Sequence, residues 1–111
     1  MMDCLSKKVD QAVTIKVTGR MDAVTAPDFE QECRNWIAQG NKDLLVDLSG
    51  LEYISSAGLR VILGVGKKLK SGNGSLVFGG MSGMVKEVFE ISGFSSIFPV
   101  HDSLESALAA K

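Results

Sequence analysis

Apolar and polar positions change period along this chain, and each change marks an element. Val13, Ile15 and Val17 alternate with Thr14 and Lys16, the period of two expected of a strand with one wetted face. Leu5 to Val9 is a weaker strand candidate, and Asp10-Gln11 suits the turn of an antiparallel hairpin between the two. Residues 18–22 are expected to leave the strand, with Gly19 supplying an unusual backbone angle. Thr25-Ala26-Pro27-Asp28 signals a helix start: Thr25 caps, Pro27 sits in the first turn and Asp28 faces the positive end. Phe29, Cys33, Trp36 and Ile37 then recur at helical spacing, and Gly40 ends the helix.

The run from Leu44 to Leu48 is almost wholly apolar, as in a strand buried on both faces. Ser49-Gly50 is expected to break it before Tyr53-Ile54 anchors the chain again. Ser55-Ser56-Ala57-Gly58 opens a helix running to about Ser71. Leu59, Ile62, Leu63, Val65 and Leu69 form its inner face, while Arg60, Lys67 and Lys68 lie outside. Gly64 and Gly66 each cost about 1 kcal/mol relative to Ala inside a helix, which implies close approach to the sheet. Ser71-Gly72-Asn73-Gly74 turns the chain into a short strand, Ser75 to Phe78. Ser82 caps a helix with the stripe Met84, Val85, Val88 and Phe89, closed by Gly93. Ile97-Phe98-Pro99-Val100 reads as an edge strand, and Asp102-Ser103-Leu104-Glu105 as a capping-box start for a last helix carrying Leu104, Ala107 and Leu108. The order β-β-α-β-α-β-α-β-α predicts one α/β domain over residues 1–111, with right-handed crossovers and a largely parallel sheet.

Composition narrows the function classes. Of 111 residues 45% are apolar, enough for a real core, and 12 basic against 13 acidic residues give a net charge of −1. That balance points away from nucleic acid and leaves little long-range steering, so partner choice rests on local complementarity. No apolar run approaches the roughly 18 residues of a membrane span, and Met1-Met2-Asp3-Cys4 does not open a signal peptide, so no membrane insertion is expected and the cytoplasm is the expected location. Cys4 and Cys33 are expected to be reduced thiols, Cys33 half-buried; with His101 alone they make no metal pattern. Gly64-Val65-Gly66-Lys67-Lys68 falls inside a helix and Gly72-Asn73-Gly74 precedes a strand, so neither is a phosphate loop and no cofactor is implied.

Two chemical readings remain for the serine turn. A helix start leaves backbone N–H groups free and favours negative charge, so the Ser55 and Ser56 hydroxyls lie where an added phosphate is tolerated. If the parallel strands end together, Asp22, Thr25, Ser55, Ser56 and Gly80 to Ser82 share one rim. The other reading is a small hydrolase using Ser56 with His101, although the segment lacks the G-x-S-x-G elbow.

Residues 19–26 (Gly-Arg-Met-Asp-Ala-Val-Thr-Ala) and 45–63 (from Leu-Val-Asp-Leu-Ser-Gly-Leu through Ser-Ser-Ala-Gly-Leu-Arg), with Ser92-Gly93-Phe94, resemble the STAS domains of bacterial anti-sigma-factor antagonists and their relatives. The resemblance covers nearly the whole chain. It implies a small mixed, mostly parallel sheet of about five strands with about four helices, and a non-enzymatic switch. The unphosphorylated domain would bind an anti-sigma factor that is also a GHKL-type serine kinase; phosphorylation would end the complex and a PP2C-type phosphatase would restore it. Matching the family's D-S-S/T-G-L pattern places the acceptor on Ser56 and the loop aspartate on Asp22. Ser55 stands where many phosphorylated members carry Asp, which makes it a competing acceptor, and Ala57 replaces the second Ser/Thr. Partner contact is expected from Asp22, Thr25, Ser55, Ser56, Ala57, Gly58, Arg60, Met81 and Ser82. The alternative is an unphosphorylated STAS subunit of a transporter or sensory complex.

Overall fold

The computed structural model describes residues 1–110. Strands β1 (Met2–Val9) and β2 (Ala12–Met21) form the hairpin, antiparallel and in unbroken register from Met2 opposite Gly19 to Val9 opposite Ala12. Helix α1 (Ala26–Ala38) leads to β3 (Asp43–Ile54), α2 (Ser56–Ser71), β4 (Ser75–Gly79), α3 (Gly83–Ile91), a 3-10 turn (Phe94–Ser96), β5 (Val100–His101) and α4 (Leu104–Ala109). The sheet order is β1-β2-β3-β4-β5, and every pairing after the first is parallel. The mixed, mostly parallel α/β sheet of five strands with four helices is therefore present.

Two strands run further than their local chemistry suggests. Residues 18–21 stay in β2, and β3 continues through Ser49-Gly50 to Ile54. The pairing accommodates both by slipping: Lys16 faces Asp47 but Thr18 faces Gly50, and Gly19 faces Leu51 but Arg20 faces Tyr53. Each slip takes up one extra residue on β3, as a bulge does. Gly19 has φ +98° inside the strand, and a Cβ there would strike the Met1 carbonyl, so this glycine permits a close approach rather than an exit.

Strand alternation sorts the apolar residues onto two faces. Val13, Ile15, Val17, Leu44, Val46, Leu48, Leu76 and Phe78 meet α1, α2 and α3 in the main core. Cys33 is fully buried there, deeper than its stripe position suggests. Ala12 and Leu45, with Val77 beside them, meet α4 on the other face through Ala107, Leu104 and Leu108. The cap of α4 is Ser103, whose hydroxyl accepts the Ser106 N–H at 3.0 Å; the helix thus starts one residue later than a box headed by Asp102 would place it.

The end of the main core is aromatic. Phe78 meets Phe89 at 5.1 Å and Phe98 at 5.5 Å between ring centroids, and Phe94 closes the group 5.6 Å from Phe89. Phe98 is drawn into this cluster after the 3-10 turn, which displaces the edge strand from residues 97–100 to Val100–His101. The Pro99 carbonyl still accepts the Phe78 N–H, at 3.0 Å.

The helix glycines of α2 differ in kind. A Cβ on Gly66 would run into the Phe98 ring, whereas one on Gly64 meets nothing within 4 Å. Close approach therefore accounts for Gly66 and not for Gly64. Gly64→Ala should stabilise by about 0.5–1 kcal/mol through helix propensity. Gly66→Ala should destabilise by about 1–2 kcal/mol, the overpacking cost less that gain. Urea unfolding of both variants checks the opposite signs.

Candidate functional site

Met21 and Ile54 lie opposite each other where β2 and β3 end, and the chain segments beyond them build the site. The Ser55 N–H donates to the Met21 carbonyl at 2.9 Å, locking the start of α2 to the end of β2. Ser55 is extended (φ −96°, ψ 174°), and its hydroxyl accepts the Gly58 N–H at 3.4 Å. It is the cap of α2 and is half-buried. Ser56 is the first helical residue, and its side chain is exposed. No acidic residue occupies the first turn of α2, so its positive end has no carboxylate of its own. Arg60 is exposed one turn along, at the i+4 position from Ser56. Gly58 is buried because a Cβ there would lie 2.8 Å from Ile54 Cγ1 and 3.1 Å from Met21 Sδ; its lack of a side chain lets the helix start sit on the strand ends.

The loop from β2 is held by its own polar groups. Asp22 Oδ1 accepts the N–H groups of Val24 at 3.0 Å and Thr25 at 3.1 Å. The Thr25 hydroxyl accepts the Asp22 N–H at 2.9 Å and donates to the Arg20 carbonyl at 2.8 Å, so Thr25 ties the loop rather than capping α1 through its side chain. Asp22 Oδ2 has no partner among the described residues and remains open to an incoming donor. The Thr25 backbone N–H, aided by Val24 N–H and the Thr25 hydroxyl, holds the Asp22 carboxyl below its ordinary pKa of 3.8. A carboxylate with a depressed folded-state pKa contributes stability that is complete above the ordinary value and lost as pH falls through the folded one. Denaturant midpoints should therefore decline below about pH 4, and Asp22→Asn should remove part of that decline. Parallel pH profiles for the two proteins would contradict this role.

The rim is stepped. Strand β4 ends at Gly79, level with Asp47, while β3 continues seven residues further to Ile54. Gly80 to Ser82 thus leave the sheet beside Asp47 and Ser49; Gly80 turns at φ +76°, where a Cβ would be 3.0 Å from Asp47 Oδ1. Met81 is 8% exposed and packs in the core; Ser82 is exposed and its hydroxyl makes no cap bond. The structure joins Asp22, Thr25, Ser55, Ser56, Ala57, Gly58 and Arg60 around two neighbouring strand ends, and sets Met81 and Ser82 on the lower step.

Ser56 and His101 do not meet. His101 is level with Gly79 and hence with Asp47, two strands across, while Ser56 lies beyond Ile54, about 20 Å further along the sheet. The hydrolase pair is not assembled. Burial pushes the Cys4 thiol up to about 11 and raises that of Cys33 further, so neither is a poised nucleophile. No group of three metal-ligating side chains gathers among the described residues. No helix among them is long and apolar enough to cross a membrane.

One exposed group escaped the sequence pattern. Val24, 83% exposed, projects from the Asp22 loop. An apolar residue inside a capping loop is the signal that would have found it. It gives the rim an apolar contact beside its polar ones.

The STAS domain family model matches residues 5–107. BtrV of Bordetella bronchiseptica, which bears the name of an anti-sigma factor antagonist, is 44% identical over 103 residues, covering 93% of this chain and 89% of its own. The crystal structure of an anti-sigma factor antagonist from Mycobacterium paratuberculosis superposes with a TM-score of 0.90 at 27% identity, over 99% of this chain and 93% of that one. The Bacillus cell fate determinant SpoIIAA in its phosphorylated form shares the fold, with a TM-score of 0.78 at 19% identity over 97% of this chain and 98% of its own. This chain belongs to the STAS domain family, among relatives named as anti-sigma factor antagonists.

Proposed function

We propose that this protein is a partner switch of the cytoplasm: unphosphorylated, it binds an anti-sigma factor that is also a GHKL-type serine kinase, and phosphorylation of Ser56 releases it. A PP2C-type phosphatase returns it to the binding state. The observation that carries the reading is the placement of Ser56. Its hydroxyl is exposed at the first position of a 16-residue helix whose first turn holds no acid, while Ser55 is half-buried and spends its hydroxyl on the cap. That difference favours Ser56 over Ser55 as acceptor.

A phosphate there brings about −1.5 to −2 charges. The helix N–H groups and Arg60 one turn on receive it favourably, so the scaffold is kept. The cost falls on the partner, which must desolvate or repel the new charge against Asp22, Thr25 and Val24. The phosphorylated state of SpoIIAA is a precedent in the same fold.

The test uses Ser56→Ala as bait to capture the partner, followed by ATP and mass spectrometry on wild type and variant. Phosphate on Ser56 of the wild type, with none on the variant, is expected. Phosphate on Ser55 in the variant would move the site. Stable binding with no phosphate on either serine would leave the unphosphorylated transporter or sensory subunit as the function.

A further inference from the structure

The two edges of the sheet are unlike. At one, β5 has two residues and follows Pro99, which offers no N–H. At the other, β1 presents eight residues in regular register with no bulge and no proline. The Met1 carbonyl accepts the Arg20 N–H at 3.1 Å, so Met1 and, by alternation, Asp3, Leu5, Lys7 and Val9 aim their backbone groups at β2. The N–H and C=O groups of Met2, Cys4, Ser6 and Lys8 point away from the sheet.

The side chains at this edge complement themselves. Met2 and Cys4 pack inward against the main core, whereas Asp3, Leu5 and Lys7 are exposed on the opposite face. Leu5 is 75% exposed. Neither Asp3 nor Lys7 has an ion-pair partner among the described residues. Lys8, the other cation able to guard the edge, donates to Asn41 Oδ1 at 2.7 Å and is folded back onto the loop after α1.

We infer that β1 is the docking edge for a second copy of this chain, paired antiparallel about a two-fold axis at Leu5. An antiparallel partner must match outward-facing backbone groups with outward-facing ones, which allows the axis at Cys4, Leu5 or Ser6. An axis at Cys4 sets Asp3 against Leu5, and one at Ser6 sets Leu5 against Lys7. Only the axis at Leu5 places each Leu5 against its twin and each Asp3 against Lys7 of the partner subunit, at positions where side chains lie closest. Cys4 then exchanges backbone hydrogen bonds with Ser6 of the partner subunit, and one sheet runs through both copies. The interface is isologous and closed, so it ends at two copies.

Sedimentation of the intact protein across concentration should show a monomer–dimer equilibrium. Asp3→Lys and Lys7→Asp should each raise the dissociation constant about ten-fold or more, because each sets two like-charge pairs across the axis. Combining both exchanges should restore dimerisation. Leu5→Cys in a Cys4→Ser background should yield a covalent dimer on mild oxidation. All these side chains are exposed except that of Cys4, and circular dichroism with the Cys4→Ser protein as reference verifies the fold. A wild type that stays monomeric at millimolar concentration would overturn the proposal. So would a dimer indifferent to the charge reversals, or a wild-type disulfide between the two copies of Cys4, which belongs to the shifted axis.

Discussion

Phe78→Ala is expected to lower the stability of this protein by about 3–5 kcal/mol, the range for removing a fully buried aromatic ring. Phe78 lies on β4 with no exposed surface, and its ring meets two others edge-on, Phe89 of α3 and Phe98 beyond the 3-10 turn. Val85 also holds α3 in the main core, but the segment after it is short. Strand β5 holds the sheet through two residues, and the 3-10 turn has three. Deleting the ring therefore removes the partner that Phe89 and Phe98 share as well as its own buried area. Edge-on pairs add about 0.5–1.5 kcal/mol each beyond area, which places the loss toward the upper end of the range. Guanidinium unfolding measures it, and amide exchange should show α3 and β5 opening before β2 and β3. A loss below about 1.5 kcal/mol would mean that the groove beside Phe98, bounded by Leu63, Lys67, Leu76 and Ile97, lets the cluster collapse into the space.

Period was a sound guide wherever one side-chain pattern had one physical cause. Val13, Ile15 and Val17 recur because their face meets the helices of the main core, and Phe29 with Cys33 recurs because α1 lies on that face; the other face is wetted at Lys16 but not at Thr14, which is buried. The pattern misled where backbone pairing overrode composition. Ser49-Gly50 carries turn residues, yet β2 pairs with β3 past them, and two slips in register absorb the extra length. Phe98 sits beside a proline, yet burial in the aromatic cluster outweighs any strand preference of residues 97–100. For the site, the serine turn was legible because capping is local: Ser55 and the helix after it are specified by a few neighbouring residues. The step between Ile54 and Gly79 was not, since the relative length of two strands depends on pairing across the sheet. The split between Ser55 and Ser56 was also hidden, because two adjacent serines differ only once the helix start fixes which of them caps.

That split makes the second large effect specific to one hydroxyl. Ser56→Asp is expected to weaken binding of the anti-sigma partner about a hundred-fold, the consequence of placing an uncompensated charge in a desolvated interface at about 2–4 kcal/mol. The same charge lies at the first position of α2, where the helix favours an anion by about 0.3–1 kcal/mol and Arg60 is one turn away. The melting temperature should then stay level or rise by a few degrees, since about 1 kcal/mol moves a domain of this size by about 4–8 °C. Opposite signs in the two measurements distinguish a switch from damage: a fold-breaking change lowers both. Ser55→Asp serves as the neighbouring control. Asp caps helices as well as Ser does, and a half-buried side chain that still accepts the Gly58 N–H presents less charge to the partner, so its effect on binding should be the smaller. Calorimetry with the captured partner measures the affinities. A Ser56→Asp protein that binds as tightly as wild type would remove Ser56 from the interface; one that melts early would show that the helix start is not the tolerant anion position its geometry implies.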